Sequence, residues 1–215
     1  MIFRTRTVAL NTTPIKVVLL SAYYCLMMVP HAEADERDRI AQVLEIKEGA
    51  VVADVGAGDG RWTVDLARRV GKTGRVYSTE IKPERLRAIE KTVAGAALQN
   101  VTVIEGTITD TKLPEQCCDA ILLRRVYHHF ADPNDMDRSM FASLRPGGLI
   151  LVIDFQPGAP GAPTRTLPGI PERRGGHGTP KDQLIEEMTA NGFELVRRID
   201  DWFRSDYAML FRRPE

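Results

Sequence analysis

Short apolar blocks alternate with charged, helix-spaced stretches along most of this chain. Within residues 35–47, Ile40, Val43, Leu44 and Ile46 recur among charged neighbours, which predicts an amphipathic helix with one buried stripe. Val51–Val55 is a short, almost wholly apolar run, the pattern of a strand covered on both faces. The alternation continues with a helix over Arg61–Val70, its Trp62, Leu66 and Ala67 turned toward a core, a turn at Gly71–Gly74 and a strand over Arg75–Thr79. Pro83, suited to a first helical turn, opens a helix to Val93. Strands follow at Val101–Ile104 and Asp119–Leu123. A helix over Pro133–Leu144 ends at Arg145-Pro-Gly-Gly148, before a strand over Leu149–Ile153.

Residues 156–180 are rich in Pro, Gly and Arg and read as a substrate-side loop crossing the top of the sheet. A helix over Lys181–Asn191 comes next, with Thr179 as its cap, Pro180 at its first position and Gly192 closing it. Phe193–Ile199 and Tyr207–Arg212 end the chain as an antiparallel hairpin around Trp202–Asp206. Seven strands interleaved with helices predict an α/β, Rossmann-like, mostly parallel sheet with helices on both faces. The chain has 215 residues, room for one such core, and no internal repeat or second domain shows in it.

The first 34 residues break this pattern. Arg4, Arg6 and Lys16 precede the apolar stretch Val17–Val29, Pro30 ends it, and Ala32-Glu-Ala34 supplies small residues at an A-x-A spacing. The stretch is short for a membrane span, so it predicts a secretory signal peptide cleaved near Ala34/Asp35 and a periplasmic or secreted domain over 35–215. The long basic region leaves an uncleaved membrane anchor as the alternative, and a cytoplasmic protein as a third reading.

Composition narrows the partners. The 29 basic and 29 acidic residues balance, and no block of like charge suggests nucleic acid; Arg124-Arg125 and Arg173-Arg174 are isolated doublets. Past the leader only the adjacent Cys117 and Cys118 remain, too close for an unstrained disulfide, and they read as buried thiols. His128-His129 lacks further ligands at a zinc-site spacing, so no metal is expected. No motif sets the oligomeric state.

The stretch with most to say about chemistry is Val51-Val-Ala-Asp-Val-Gly-Ala-Gly-Asp-Gly60. Three alternate glycines at the end of a core strand let backbone approach a ligand closely, and open parallel sheets bind ligands at strand carboxyl ends. A dinucleotide turn wants G-x-G-x-x-G. Here the third glycine comes one residue early, Arg61 takes the sixth place, and Asp59 sits inside the turn where pyrophosphate would lie. A P-loop would need Gly-Lys-Ser/Thr. A positively charged cofactor without phosphate fits better.

With these residues the chain resembles the class I S-adenosylmethionine-dependent methyltransferases. Asp54, Gly56, Gly58 and Gly60 match that family's Asp/Glu-x-Gly-x-Gly-x-Gly motif, which the resemblance places beside the methionine end of the donor. Glu80, ending Val76-Tyr-Ser-Thr-Glu80, resembles the family's ribose-binding acid, and Ile81 suits an apolar face of the nucleoside. Asn100-Val-Thr-Val-Ile-Glu-Gly106 resembles the third-strand end. Thr107 replaces the usual acid after the glycine, so Glu105, Gly106 and Thr107 are the residues expected near adenine. Tyr127-His-His-Phe130 resembles the His-His segment of many small-molecule methyltransferases, and Leu144–Ile153 resembles the turn into the fifth strand. The likeness covers 36–155 well and the remainder in outline.

The implied function is methyl transfer from S-adenosylmethionine to a small acceptor by in-line displacement, with Tyr127, His128, His129 and His177 as candidate acceptor-side residues. Arg124 is expected at the site, meeting an anionic group or pairing with a carboxylate, and Asp154 on its substrate rim. Two alternatives stay open: a non-catalytic protein that binds the donor on the same fold, and an NAD(P)-dependent oxidoreductase. Export adds a tension, because S-adenosylmethionine is made in the cytoplasm.

Overall fold

Seven strands form the sheet, the central ones apolar and covered on both faces and the edge strand β6 largely exposed: β1 (Val51–Val55), β2 (Arg75–Glu80), β3 (Val101–Glu105), β4 (Cys118–Arg124), β5 (Leu144–Phe155), β6 (Glu194–Phe203) and β7 (Asp206–Arg212). The computed structural model describes residues 36–158 and 178–215. The expectations for the leader at 1–34, for His177 and for most of the 156–180 loop therefore lie outside the described residues. Arg37–Glu215 forms one compact unit. Among the described residues, no helix is long and apolar enough to cross a membrane.

The sheet order is β3-β2-β1-β4-β5-β7-β6. Strands β1 to β5 pair in parallel. Strand β7 runs antiparallel to both β5 and β6. Helices α1 (36–43), α2 (Arg61–Val70), α3 (Pro83–Gly95), α4 (Pro133–Ser143) and α5 (Lys181–Ala190) complete the described elements.

Side-chain alternation along each strand splits the core into two layers. On β4, Ile121 and Leu123 pack with Met140, Leu184 and Met188 from α4 and α5. Ala120 and Leu122 face the other way, toward Ile40 of α1 and Leu66 and Val70 of α2. Each such buried aliphatic side chain stabilises the fold by about 1.5–3 kcal/mol relative to exposure. Cys118 is fully buried in this core and Cys117 half-buried.

The sheet differs from the sequence expectation in two places. Arg145–Gly148, read as a turn, is a bulge inside β5: the register with β4 passes from Cys118↔Leu144 to Ala120↔Leu149. Backbone bonds from Gly147 to Arg213 and from Arg213 to Gly148, both 2.9 Å, stitch it in place. The terminal hairpin is tighter than expected, its strands running to Phe203 and from Asp206.

Strand order reverses between β1 and β4, since the chain winds outward to β3 and then crosses back. That switch point leaves a crevice at the strand carboxyl ends.

Candidate cofactor and acceptor site

The crevice holds a cavity of about 680 Å³, lined from the ends of β1, β2, β3 and β4. Its size falls within the roughly 300–1,000 Å³ usual for small-molecule sites. The glycine loop forms one wall. Gly56 has φ +71°, and a Cβ there would overlap the side chain of Val126, so only glycine lets the β1 and β4 loops close together. Gly58, at φ +63°, has no protein atom within 4 Å of where a Cβ would stand. Its backbone faces open cavity. Gly60 points away, against Ile89 of α3.

The β1–β3 end is organised by two acids. Asp54 is buried, and its carboxylate accepts from the Thr63 hydroxyl at 2.6 Å. That hydroxyl lies 2.8 Å from the Ser78 hydroxyl. Asp54 thus ties β1 to the first turn of α2 and fixes the loop between them. Burial pushes its carboxyl up to about 6, against the Thr63 hydrogen bonds, with Glu80 and Asp59 adding to the rise. Glu80 lies on the cavity wall. Its two oxygens accept from the Gly58 amide at 3.3 Å and its neighbour Ile81's amide at 2.9 Å. Ile81 and Ile108 are exposed apolar side chains on the same wall, surfaces suited to the face of a flat heterocycle.

The β4 end has a different character. A single 3-10 turn, Tyr127–His129, follows β4. With about three residues per turn, its three side chains point three ways. His129 lines the cavity, its Nδ1 buried without a hydrogen-bond partner. Burial, with the adjacent His128 second, pushes its imidazole down to about 4. His128 turns inward. Its backbone N–H and its Nδ1 meet the Asp154 carboxylate at 3.1 and 2.8 Å. Tyr127 turns into the core, and its hydroxyl lies 3.0 Å from an Asp137 carboxyl oxygen and 3.1 Å from one of Glu187, its single proton shared between them. Arg124 lines the cavity with its guanidinium 4.5 Å from the Trp62 ring centre.

The structure therefore gathers Gly56, Gly58, Glu80, Ile81, Gly106, Thr107, Arg124 and His129 around one cavity. It corrects several expectations. Tyr127 and His128 lie off the cavity, because the tight turn spends one on the core and the other on Asp154. Glu105 is an exposed side chain at the end of β3, outside the lining. Asp54 and Gly60 shape the loop from behind rather than lining it. Asp154, expected on the rim, is fully buried, holding His128 and accepting from Thr179 at 3.3 Å. Trp62 packs against the core as expected and also stands on the cavity wall.

Sequence reasoning missed Arg125, Val126, Phe130 and Met136, all on the β4 side of the wall. The Arg124-Arg125 doublet and the place of Phe130 at the end of the His-His segment carried a signal. Thr63, which donates to Asp54, and Ser78, which bonds Thr63, carried none of their own.

The comparisons with known proteins agree with this geometry. The sequence model of a methyltransferase-domain family matches residues 52–148, which hold the glycine loop, Glu80 and the β4 turn. Over these residues the chain is similar to a methyltransferase domain. The demethylmenaquinone methyltransferase of Listeria monocytogenes serotype 4a is 27% identical over 126 residues, 58% of this chain and 53% of that protein. A second protein of that description, from a Geobacillus species, is 25% identical over 118 residues, 55% and 50% of the two chains. The chain thus spans about half the length of these curated relatives.

Among solved structures, a SAM-dependent methyltransferase from Aquifex aeolicus superposes with a TM-score of 0.68 at 18% identity, covering 82% of this chain and 89% of its own. The [4+2]-cyclase SpnF gives 0.67 at 16% identity, over 83% and 80%. A protein from Bordetella parapertussis described as a possible exported protein gives 0.63 at 18%, over 85% and 67%. At such identities these three show the shared fold.

The residues present fit the family's cofactor, S-adenosylmethionine. Backbone at Gly58 opens onto free space, a carboxylate at Glu80 can accept from sugar hydroxyls, and exposed isoleucines stand where a base would lie.

Proposed function

We propose that this chain transfers a methyl group from S-adenosylmethionine to a small-molecule acceptor. The observation that carries the reading is the open backbone face of Gly58, pinned to Glu80 at the switch point of the sheet. When bound, the donor supplies an electrophilic methyl carbon, whose bonding pair returns to sulfur as the acceptor's lone pair forms the new bond. The protein's own work is alignment and exclusion of water. Glu80 and Gly58 hold the nucleoside end. Asp54, through Thr63, keeps the loop in register. Val126 packs against the loop at Gly56 and joins the β1 and β4 walls. His129, kept neutral by its burial, offers the acceptor a hydrogen-bonding ring.

The acceptor is an unidentified small molecule; the demethylmenaquinone methyltransferases named above make a flat, conjugated compound a reasonable first choice for assay. The domain over 35–215 acts after export, in the periplasm or outside the cell. This is supported by the basic residues, the apolar Val17–Val29 stretch and the Ala-x-Ala spacing ahead of it, and by the description of the Bordetella fold relative.

The test is calorimetric titration with adenosylhomocysteine, followed by turnover of labelled donor across a panel of flat acceptors. Binding with turnover supports the proposal. Binding without turnover on any acceptor favours a protein that has kept the fold for other chemistry, as the cyclase SpnF illustrates. N-terminal sequencing of the native protein is expected to begin near Asp35, and an intact Met1 in a cytosolic fraction would refute export.

A further inference from the structure

The two ring nitrogens of His129 are in different situations. Nδ1 is sealed off from solvent and has no hydrogen-bond partner. Nε2 is neither bonded nor sealed in this way, so it is the ring nitrogen open to a ligand in the cavity. A neutral imidazole carries its proton on one nitrogen and a lone pair on the other. A buried N–H without an acceptor is rare in folded proteins, and a buried acceptor short of donors is less so. A lone pair on Nδ1 and the proton on Nε2 therefore leave the smaller defect. The surroundings keep the ring neutral. Burial first, then His128, and Lys82 ahead of α3 disfavour the imidazolium, while Asp154 favours it, and the net effect pushes the group down to about 4.

His128 is fixed in the opposite sense. The Asp154 carboxylate accepts from the backbone N–H of His128 at 3.1 Å, that of Phe155 at 2.9 Å and the Thr179 hydroxyl at 3.3 Å. A carboxylate so engaged only accepts, so the His128 Nδ1 that lies 2.8 Å from it carries the proton. The ring held in this way packs against the His129 ring, with centroids 4.0 Å apart, and against Phe155 at 4.8 Å. One buried acid on β5 thus orients a ring on the cavity wall through the histidine between them. Beside His129 the wall is apolar, with Val126, Phe130, Ala131 and Met136. The guanidinium of Arg125, on the same side, already meets both oxygens of Asp206 at 2.8 Å. In a pocket of this kind a few polar groups fix the ligand's orientation.

We propose, resting on the methyl-transfer reading, that His129 reads the acceptor through its Nε2–H, and that the acceptor has an apolar body bearing a carbonyl oxygen that accepts this bond. His129 is then a specificity residue and not a base, and the methyl transfer draws no proton through it. A neutral imidazole is a known donor to carbonyl oxygens in enzyme sites. A ligand group able only to donate meets a nitrogen that already carries a proton, and gains nothing there. Asp154 and His128 are positioning residues that act through the His129 ring.

The experiment has two arms. In the first, the full chain is labelled with nitrogen-15 histidine, and long-range nitrogen–proton correlation spectra show which ring nitrogen is protonated in each of its four histidines. Single substitutions assign the signals. Near neutral pH, His129 is expected as the Nε2–H tautomer and His128 as the Nδ1–H tautomer. In the second, three bicyclic probes of matched size are titrated by calorimetry, with and without saturating adenosylhomocysteine: 1-indanone (a carbonyl acceptor), indole (an N–H donor) and indane (neither). The indanone should bind about five- to tenfold more tightly than indane, and indole no more tightly than indane. His129→Phe should erase this preference, and His129→Gln, whose amide keeps a donor, should retain part of it. Asp154→Asn should weaken it and shift the His128 signal, with adenosylhomocysteine affinity unchanged.

An Nδ1–H signal or an imidazolium signal for His129 near neutral pH overturns the proposal. So does indole bound more tightly than the indanone, or no indanone preference in the wild type. A preference that survives in His129→Phe overturns it as well, since another donor on the wall would then hold the oxygen. If Asp154→Asn does not fold, the wild-type spectrum decides the positioning role, and an Nε2–H signal for His128 refutes it. Failure of adenosylhomocysteine to bind the wild type overturns the methyl-transfer reading instead, and the tautomers and the probe ranking measured without it still decide what His129 does.

Discussion

The two ends of the cavity, the β1–β3 end proposed for the donor and the β4 end proposed for the acceptor, are built by opposite means. At the donor end, backbone does the shaping: a glycine loop leaves space, and a buried acid behind it, Asp54, fixes the strand-to-helix turn. At the acceptor end, side chains do it: a 3-10 turn aims one of three residues at the cavity, and a carboxylate from the far strand β7 sets an arginine beside it. The donor end depends on residues within one strand-loop-helix unit and its neighbour. The acceptor end depends on contacts across the whole sheet.

Four measurements can break or sharpen this contrast. The largest effect is expected at Gly58. Gly58→Leu should weaken adenosylhomocysteine binding by about 100-fold or more, because its side chain enters the ligand space from a left-handed position. The domain should stay folded by circular dichroism, and an unchanged calorimetric affinity would sink the assignment of the loop.

Next comes the pH dependence of stability, where the two ends act with opposite sign. Folding raises the Asp54 carboxyl to about 6, so the folded state binds more protons between pH 4 and 6, and this group's contribution falls as pH rises through that window. The loss amounts to about 3 kcal/mol, complete above pH 6. Folding lowers the His129 imidazole to about 4, so the unfolded state binds more protons between pH 4 and 6.5, and stability rises with pH there. The slopes oppose each other in the wild type. Asp54→Asn should leave a rising urea-denaturation profile over this range and His129→Gln a falling one. Identical profiles for the two variants would show that neither burial acts as described.

Glu80→Gln is a smaller change. It keeps the size of the side chain and removes the charge that accepts from the Gly58 and Ile81 amides. Adenosylhomocysteine affinity should fall about tenfold, by calorimetry, with affinity for an acceptor probe unaltered. A larger effect on the acceptor than on the donor would reverse the assignment of the two ends. The smallest effect belongs to Tyr127→Phe. Loss of its bond to buried Asp137 should cost about 1 kcal/mol of stability in urea. Donor affinity and acceptor KM should not move, and a changed acceptor KM would return Tyr127 to the acceptor wall.

The same contrast explains how much could be read from sequence. Gly56, Gly58 and Glu80 were legible because the fold brings them together through short, local steps: strand, turn, helix, strand. Ile81, Gly106 and Thr107 followed from their places beside strand ends. At the acceptor side, the sequence offered Tyr127, His128 and His129 as equals, since adjacency alone does not say which way a turn will face. Trp62 packs against the core as its amphipathic helix implied, but that its ring also meets Arg124 at the cavity was not legible.

The sequence by itself determined the alternation of strands and helices, the position of the glycine turn, and the acid at the end of β2. These rest on periodicity and backbone freedom, which act over a few residues. Only the tertiary structure decided that His129 alone of its turn reaches the cavity, that Asp54 stands behind the loop, and that Asp206 fixes Arg125 from 81 positions away. Burial and charge pairing across the sheet settle those choices, and both depend on which strands become neighbours.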